Sequence, residues 1–138
     1  LMKKMNFSHL VKSDNLNHHG TLYAGRMAEW FVEACFINGA QTTQHPENIV
    51  CVKIHELSFY IPTDKGDILN IETQMIRSGR TSFVVYGKAH KNNNTEDIVA
   101  DCFITFVFVD ENGDPMEHGL NVDESEIDNE IIRRFDSL

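Results

Sequence analysis

Apolar positions along this chain change rhythm once, near residue 48. Over residues 21–43 they recur at three- and four-residue steps as Leu22, Tyr23, Met27, Trp30, Phe31, Ala34 and Cys35, the period of an α-helix. Phe36, Ile37 and Ala40 spread apolar character round the other side, so this helix is expected to be buried on nearly all faces. Gly39 alone weakens its interior. Gln44-His45-Pro46-Glu47-Asn48 ends it, because a proline steers the preceding residue out of the helical region.

After Asn48 the texture becomes that of strands. Residues 49–61, 68–77, 81–90 and 98–109 are runs of β-branched and aromatic side chains, separated by segments such as Pro62-Thr63-Asp64-Lys65-Gly66-Asp67 and Ser78-Gly79-Arg80. These breaks are too short for helical crossovers, so neighbouring strands are antiparallel. A further short strand over 5–12 precedes the turn and cap cluster Ser13-Asp14-Asn15-Leu16-Asn17. The pattern predicts an α+β chain whose antiparallel sheet wraps around one long central helix. A flat sheet of such strands would leave an apolar face wet unless the helix or a partner subunit covered it. Near the end, Ile127, Ile131 and Phe135 fall four apart with Ile132 beside them, the mark of a short amphipathic helix laid on the body or on a neighbour. The expected organisation is one domain over 1–116 and an acidic tail over 117–138.

A length of 138 residues suits one domain with a real core, and 41% hydrophobic and 24% charged residues are ordinary for a globular chain. The net charge of −9 is unevenly spread. Residues 1–109 hold 11 acidic and 10 basic side chains, and residues 110–138 hold 10 and 2. The acidity excludes a broad nucleic-acid footprint, which needs a basic surface. The nearly neutral body leaves room for a local cationic patch around Arg77 and Arg80. No apolar run approaches the ~18 residues of a membrane span. Cys35, Cys51 and Cys102 form no CxxC pair and each sits in an apolar run, so buried thiols and a reducing cytoplasm are expected. The opening Leu1-Met2-Lys3-Lys4 reads as a natural start at Met2.

Most of the polar oddity lies in Asn15-Leu16-Asn17-His18-His19-Gly20-Thr21-Leu22-Tyr23-Ala24-Gly25, which runs straight into the central helix. A glycine turn meeting the unpaired amides of a helix N-terminus stabilises negative charge, whether a phosphate or the oxyanion of acyl transfer. The plainer alternative makes Asn17 a helix-start cap and Gly20 a turn residue. Glu29 and Glu33 follow, four apart and so on one helix face. Set among Trp30, Phe31, Ala34 and Cys35, a carboxylate there would be desolvated and its pKa raised, which suits a general base or nucleophile; a solvated stripe is the other reading. His18 and His19 lack a third ligand at a supporting spacing, so no metal is expected. His9, His45, His90 and His118 read as surface or edge residues. Neither a Gly-x-Ser-x-Gly elbow nor a Gly-x4-Gly-Lys phosphate loop is present.

Asn17-His18-His19-Gly20-Thr21-Leu22-Tyr23-Ala24-Gly25 followed by Glu29-Trp30-Phe31-Val32-Glu33-Ala34 resembles the active-site loop and helix of the hotdog-fold acyl-CoA thioesterases. The resemblance continues through Ser58-Phe59-Tyr60-Ile61-Pro62, Lys65-Gly66-Asp67, Arg77-Ser78-Gly79-Arg80-Thr81-Ser82 and the run 103–110, and so covers residues 5–116. It implies hydrolysis of acyl-CoA to free acid and coenzyme A, with no cofactor, in a homo-oligomer of at least a dimer, extending to a tetramer or hexamer, with sites at subunit interfaces. Carried over, Asn17 positions the thioester or the water; from the residues themselves, His19, next to Gly20, is the loop histidine placed to orient the water or polarise the carbonyl. The Gly20 region and the helix start bind the oxyanion, and Glu33 serves as base or nucleophile. Arg77, Gly79, Arg80, Thr81 and Ser82 contact the coenzyme A moiety. Two departures stand out. Ala24 replaces the first glycine of the family's Gly-Gly pair, and Val32 stands where many relatives carry the acid, with Glu33 one step on. An acyl-CoA sensor without catalysis is therefore the rival of another class. A hotdog hydratase or dehydratase is the enzymatic rival, though the chain lacks the loops of those relatives.

Overall fold

The computed structural model describes residues 3–138, and the start read at Met2 lies outside the described residues.

 Its elements follow in the order β1 (Met5–Leu10), α1 (Ala24–Thr43), β2 (Ile49–Phe59), β3 (Ile68–Ser78), β4 (Ser82–Lys91), β5 (Ala100–Phe108) and α2 (Asn129–Asp136). The five strands form one sheet in the order β1-β3-β4-β5-β2, and every pair is antiparallel. Short connections account for β3–β4 and β4–β5, whereas β1–β3 and β2–β5 join strands distant in sequence, and β2 and β3 do not pair although a short segment links them. β1 and β2 are the two edges.

α1 lies across one face of this sheet. Its buried side is Met27, Trp30, Phe31, Ala34, Cys35, Asn38 and Gly39. Two glycines let helix and strand approach closely. A Cβ on Gly87 of β4 would stand 3.0 Å from the Phe31 ring and 3.2 Å from Cys35 Sγ, and one on Gly39 would stand 2.8 Å from Phe83. Gly39 therefore weakens the helix locally but makes room for an aromatic ring that, with Phe106 stacked at 5.4 Å, anchors the core. Among the described residues, the one side-chain hydrogen bond between α1 and the strands is Asn38 Nδ2 donating to Thr73 Oγ1 at 3.1 Å, with both residues buried.

Two expectations about this helix are corrected. It begins at Ala24 rather than Thr21, because the preceding backbone pairs elsewhere: Leu22 N–H donates to Thr63 O at 2.7 Å and Tyr23 N–H to Asn15 O at 2.9 Å. It is also not buried all round. A sheet on one side covers only part of its circumference, and Glu29, Glu33 and Gln41 stay exposed in the single chain.

The other sheet face is covered by the C-terminal segment. Val122 and Ile127 are buried and Ile131, Ile132 and Phe135 pack against the core, with the Phe135 ring 5.5 Å from that of Phe103. Asp128 caps α2 by accepting the Glu130 amide at 2.8 Å. With α1 on one face and this segment on the other, β4 and β5 are buried on both sides, which explains their nearly unbroken apolar runs. The cysteines are all free; Cys35 and Cys102 are buried as expected, whereas Cys51 is exposed because it lies on the edge strand β2.

Candidate active site at the start of the central helix

Asn17 organises the loop before α1. Its Oδ1 accepts the amides of His19 (2.8 Å) and Thr21 (3.2 Å), while its Nδ2 donates to Thr21 Oγ1 at 3.0 Å. An amide side chain carries both a donor and an acceptor, so it can brace a tight loop from inside. Gly20 takes φ +82° at the tip, a left-handed value that favours glycine, and its N–H donates to Asn17 O at 3.1 Å. His18 and His19 are exposed, with ring centroids 3.9 Å apart.

Asn17, Thr21, Ala24 and Met27 form one wall of a cavity of about 370 Å³, and residues 59–63 form the other. The helix opens onto this space with unused donors. The amides of Arg26 and Met27 both turn back to Tyr23 O, at 3.0 and 3.1 Å, whereas those of Ala24 and Gly25 have no acceptor among the described residues. No acidic side chain stands in the first turn to neutralise the positive end of the helix. Within the Gly20 region and helix start, read together from the sequence as the oxyanion end, the Gly20 N–H is engaged by Asn17 O. The free donors lie four and five residues later. A Cβ on Gly25 would come within 2.5 Å of Tyr23 Cε2, so glycine there lets the Tyr23 ring fold over the helix start.

The two helix carboxylates lie elsewhere. Glu29 is 62% exposed and pairs with Arg26 at 3.4 Å. Glu33 is exposed on the side of α1 turned from the sheet and does not line the Asn17 cavity. Nine residues of helix past Ala24 correspond to about 13 Å of rise. The desolvated setting expected for these carboxylates is thus absent within one chain, since their apolar sequence neighbours point to the other side of the helix. His9, read from the sequence as a surface residue, stacks on Trp30 with centroids 4.2 Å apart. Burial lowers its pKa from the ordinary value, and the nearby charge of Glu33 opposes that shift.

The residues expected to meet coenzyme A gather at the β3–β4 turn. Gly79 N–H donates to Ser82 O at 2.8 Å, and Thr81 O and Ser82 O accept from Phe108 N–H (2.7 Å) and His118 Nε2 (2.8 Å). Arg80 is 72% exposed and reaches Glu117 at 3.3 Å. Arg77 is engaged by the C-terminal segment, with Nε and Nη2 donating to Glu124 at 2.9 and 3.0 Å and Nη1 to Asp136 at 2.6 Å. This turn lies at the far end of β3 from the cavity. Eleven residues of strand separate the two ends, a span of about 35 Å. One protomer therefore joins Asn17 to the free helix amides but brings neither Glu33, His19 nor the turn at 77–82 to the same cavity. Sequence reasoning also missed Tyr60 and Thr63 as cavity-wall residues. Their signal was the apolar run broken by Pro62.

A family model described as the thioesterase superfamily matches residues 19–98, from the Asn17 loop through β4. The chain belongs to the thioesterase superfamily. A similar curated protein is the uncharacterized acyl-CoA thioester hydrolase YkhA of Bacillus subtilis, 26% identical over 113 residues. That match covers 80% of this chain but 64% of the relative, so the chain spans less than two thirds of the length of that protein. Among solved structures, an acyl-CoA hydrolase from Bacillus cereus superposes with a TM-score of 0.81 at 22% identity, covering 97% of this chain and 84% of that one. The acyl-CoA hydrolase of Staphylococcus aureus, in complex with butyryl coenzyme A, coenzyme A and coenzyme A disulfide, gives 0.79 at 21% identity and covers 97% and 87%. The hexameric hotdog-fold thioesterase Cj0915 of Campylobacter jejuni gives 0.70 at 17% identity, covering 96% and 95%. The fold of this thioesterase-superfamily chain is accordingly the hotdog fold, an antiparallel sheet wrapped around α1. No described helix is long and apolar enough to cross a membrane.

Proposed function

We propose that this chain hydrolyses acyl-CoA thioesters to free acid and coenzyme A, as a homo-oligomer whose sites are shared between subunits. The observation that carries the reading is the cavity lined by Asn17 and Ala24 at the start of α1, a helix end where the amides of Ala24 and Gly25 have no acceptor among the described residues. Two N–H donors at an unneutralised helix start suit the oxyanion that forms when water attacks a thioester carbonyl. The carbonyl oxygen would lie against these amides, with Asn17 orienting the acyl group or the water and His19 at the mouth. Attack gives a tetrahedral intermediate, which collapses as the C–S bond breaks and coenzyme A leaves as a thiolate. The proton taken from water goes to that sulfur.

Glu33 is the proposed base or nucleophile. Glu29 is held by Arg26, whereas Glu33 has no ion-pair partner among the described residues. Its distance from the cavity of its own chain supports a second copy as its destination. So does the separation of the cavity from the turn of Gly79, Arg80, Thr81 and Ser82, to which the coenzyme A moiety is assigned. Arg77 would join that group only by exchanging its tail carboxylates for phosphate. The edge strand β2 leaves Val50, Val52 and Ile54 46%, 54% and 44% exposed, and pairing two such edges about a two-fold axis would cover them. A dimer is then the smallest active unit; hexamers among the solved relatives support further assembly. The free thiols fit a reducing cytoplasm.

Release of free thiol from a panel of acyl-CoAs tests the activity, and Glu33→Gln is expected to cut turnover by orders of magnitude while the fold stays intact. Near-full turnover in that variant rejects Glu33. A binding protein without catalysis is the second reading, favoured by Val32 and by the outward position of Glu33. Saturable acyl-CoA binding with no thiol release would establish it.

A further inference from the structure

The carboxylate of Asp101, on β5, is 99% buried yet carries no isolated charge, because four donors converge on it. Tyr60 Oη donates to Oδ1 at 2.8 Å and Tyr86 Oη to Oδ2 at 2.7 Å. Arg134 of α2 supplies Nη1 to Oδ2 at 2.8 Å and Nη2 to Oδ1 at 3.4 Å. The guanidinium also lies over the rings of Tyr86 and Phe103, 5.9 and 5.3 Å from their centroids. Tyr60 is the informative member of this group, since it belongs to the 59–63 wall of the Asn17 cavity. One carboxylate thus ties the C-terminal helix to the cavity wall.

We infer that Asp101 is a positioning residue: with Arg134 docked from α2, it fixes Tyr60 and so sets which acyl groups the cavity accepts. A buried carboxylate left with fewer donors is costly, so it must turn toward the donors that remain when Arg134 is lost. That turn alters the hydrogen bond that holds Tyr60. The wall then yields, and bulkier acyl groups gain relative to short ones. The inference deepens the proposed thioesterase reading and rests on it for its substrate.

The test uses the full chain and compares kcat/KM for a short straight-chain and a bulky branched acyl-CoA. Arg134→Gln and Tyr60→Phe should each shift that ratio toward the bulky substrate by about threefold or more, a change of the size one interaction makes. The double variant should shift it no further than the larger single effect, because both act along one line. Arg134→Lys should restore part of the wild-type ratio. Arg133→Gln, one residue away on α2 and 73% exposed, should leave it unchanged. A wild-type ratio in Arg134→Gln, or single effects that multiply in the double variant, overturns the inference. If the wild-type protein releases no thiol from any acyl-CoA, the functional reading fails separately. The link is then decided by 3-fluorotyrosine at position 60, whose ¹⁹F resonance should move in Arg134→Gln and hold still in Arg133→Gln. An unmoved resonance rejects it.

Discussion

Arg77 grips Glu124 through two parallel hydrogen bonds, of 2.9 and 3.0 Å, across 47 residues of sequence. Asp136 takes the remaining Nη1, and the Phe135 ring lies 5.4 Å from the guanidinium carbon. The cation read from the sequence as a phosphate ligand is therefore the clamp of the C-terminal segment. Its geometry is bidentate, which an ammonium cannot reproduce. Arg77→Ala should destabilise the fold by about 1–2 kcal/mol after screening of this half-exposed group. Amide exchange should accelerate first over residues 120–136. Arg77→Lys should recover less than half of the loss in a denaturant titration, and the wild-type advantage should shrink as salt is raised.

Gly25 makes a separate prediction. A methyl group there meets the Tyr23 ring at 2.5 Å, so the ring must leave the helix start. Ala is the better helix former by about 1 kcal/mol, which offsets strain in the fold itself. Gly25→Ala should thus leave the melting temperature within a few degrees while lowering kcat/KM for acyl-CoA by about tenfold or more. Ala24→Gly, which adds nothing beside the ring, should retain activity.

Much of this fold could be read from periodicity, because periodicity records burial. The helical stripe through Met27, Trp30, Phe31, Ala34 and Cys35 and the four strand runs each bury a continuous surface. What could not be read depends on contacts between distant segments. Thr21 and Leu22 continue the helical pattern, yet their backbones pair with Asp64 and Thr63. Glu33 has apolar neighbours in sequence, but a helix turns successive side chains by about 100°, and the sheet covers one side only. Arg77 meets carboxylates 47 and 59 residues away, which no local motif announces. The loop at Asn17 was legible because its chemistry is local: the side chain bonds within four residues of itself.

His9 and His55 make stability depend on pH. Burial lowers the pKa of each from the ordinary 6.5, opposed at His9 by Glu33 and reinforced at His55 by Lys53. The unfolded chain therefore takes up these protons first as pH falls. Their contribution is intact above about 6.5 and is lost as pH drops through the lowered folded values. The melting temperature should hold steady between about pH 8 and 7 and fall toward pH 5. His9→Phe, which keeps a flat ring against Trp30, should flatten part of that slope. An unchanged slope would assign the loss to other groups.

The separation of Asn17 from Glu33 within one chain leads to a test of the shared site. If each site takes Asn17 from one subunit and Glu33 from the other, Asn17→Ala and Glu33→Gln homodimers both lack any intact site. A heterodimer of the two collects both substitutions in one site and leaves the other wild type. Random reassortment makes about half of the dimers mixed, each with one working site of two, so activity should recover to about a quarter of the wild-type value. The two inactive variants are mixed, partially unfolded in denaturant, refolded together and assayed for thiol release. Recovery near that fraction requires sites that span the interface. No recovery, with heterodimers verified by differential tagging, would place Asn17 and Glu33 in the same subunit's site or remove one of them from the chemistry.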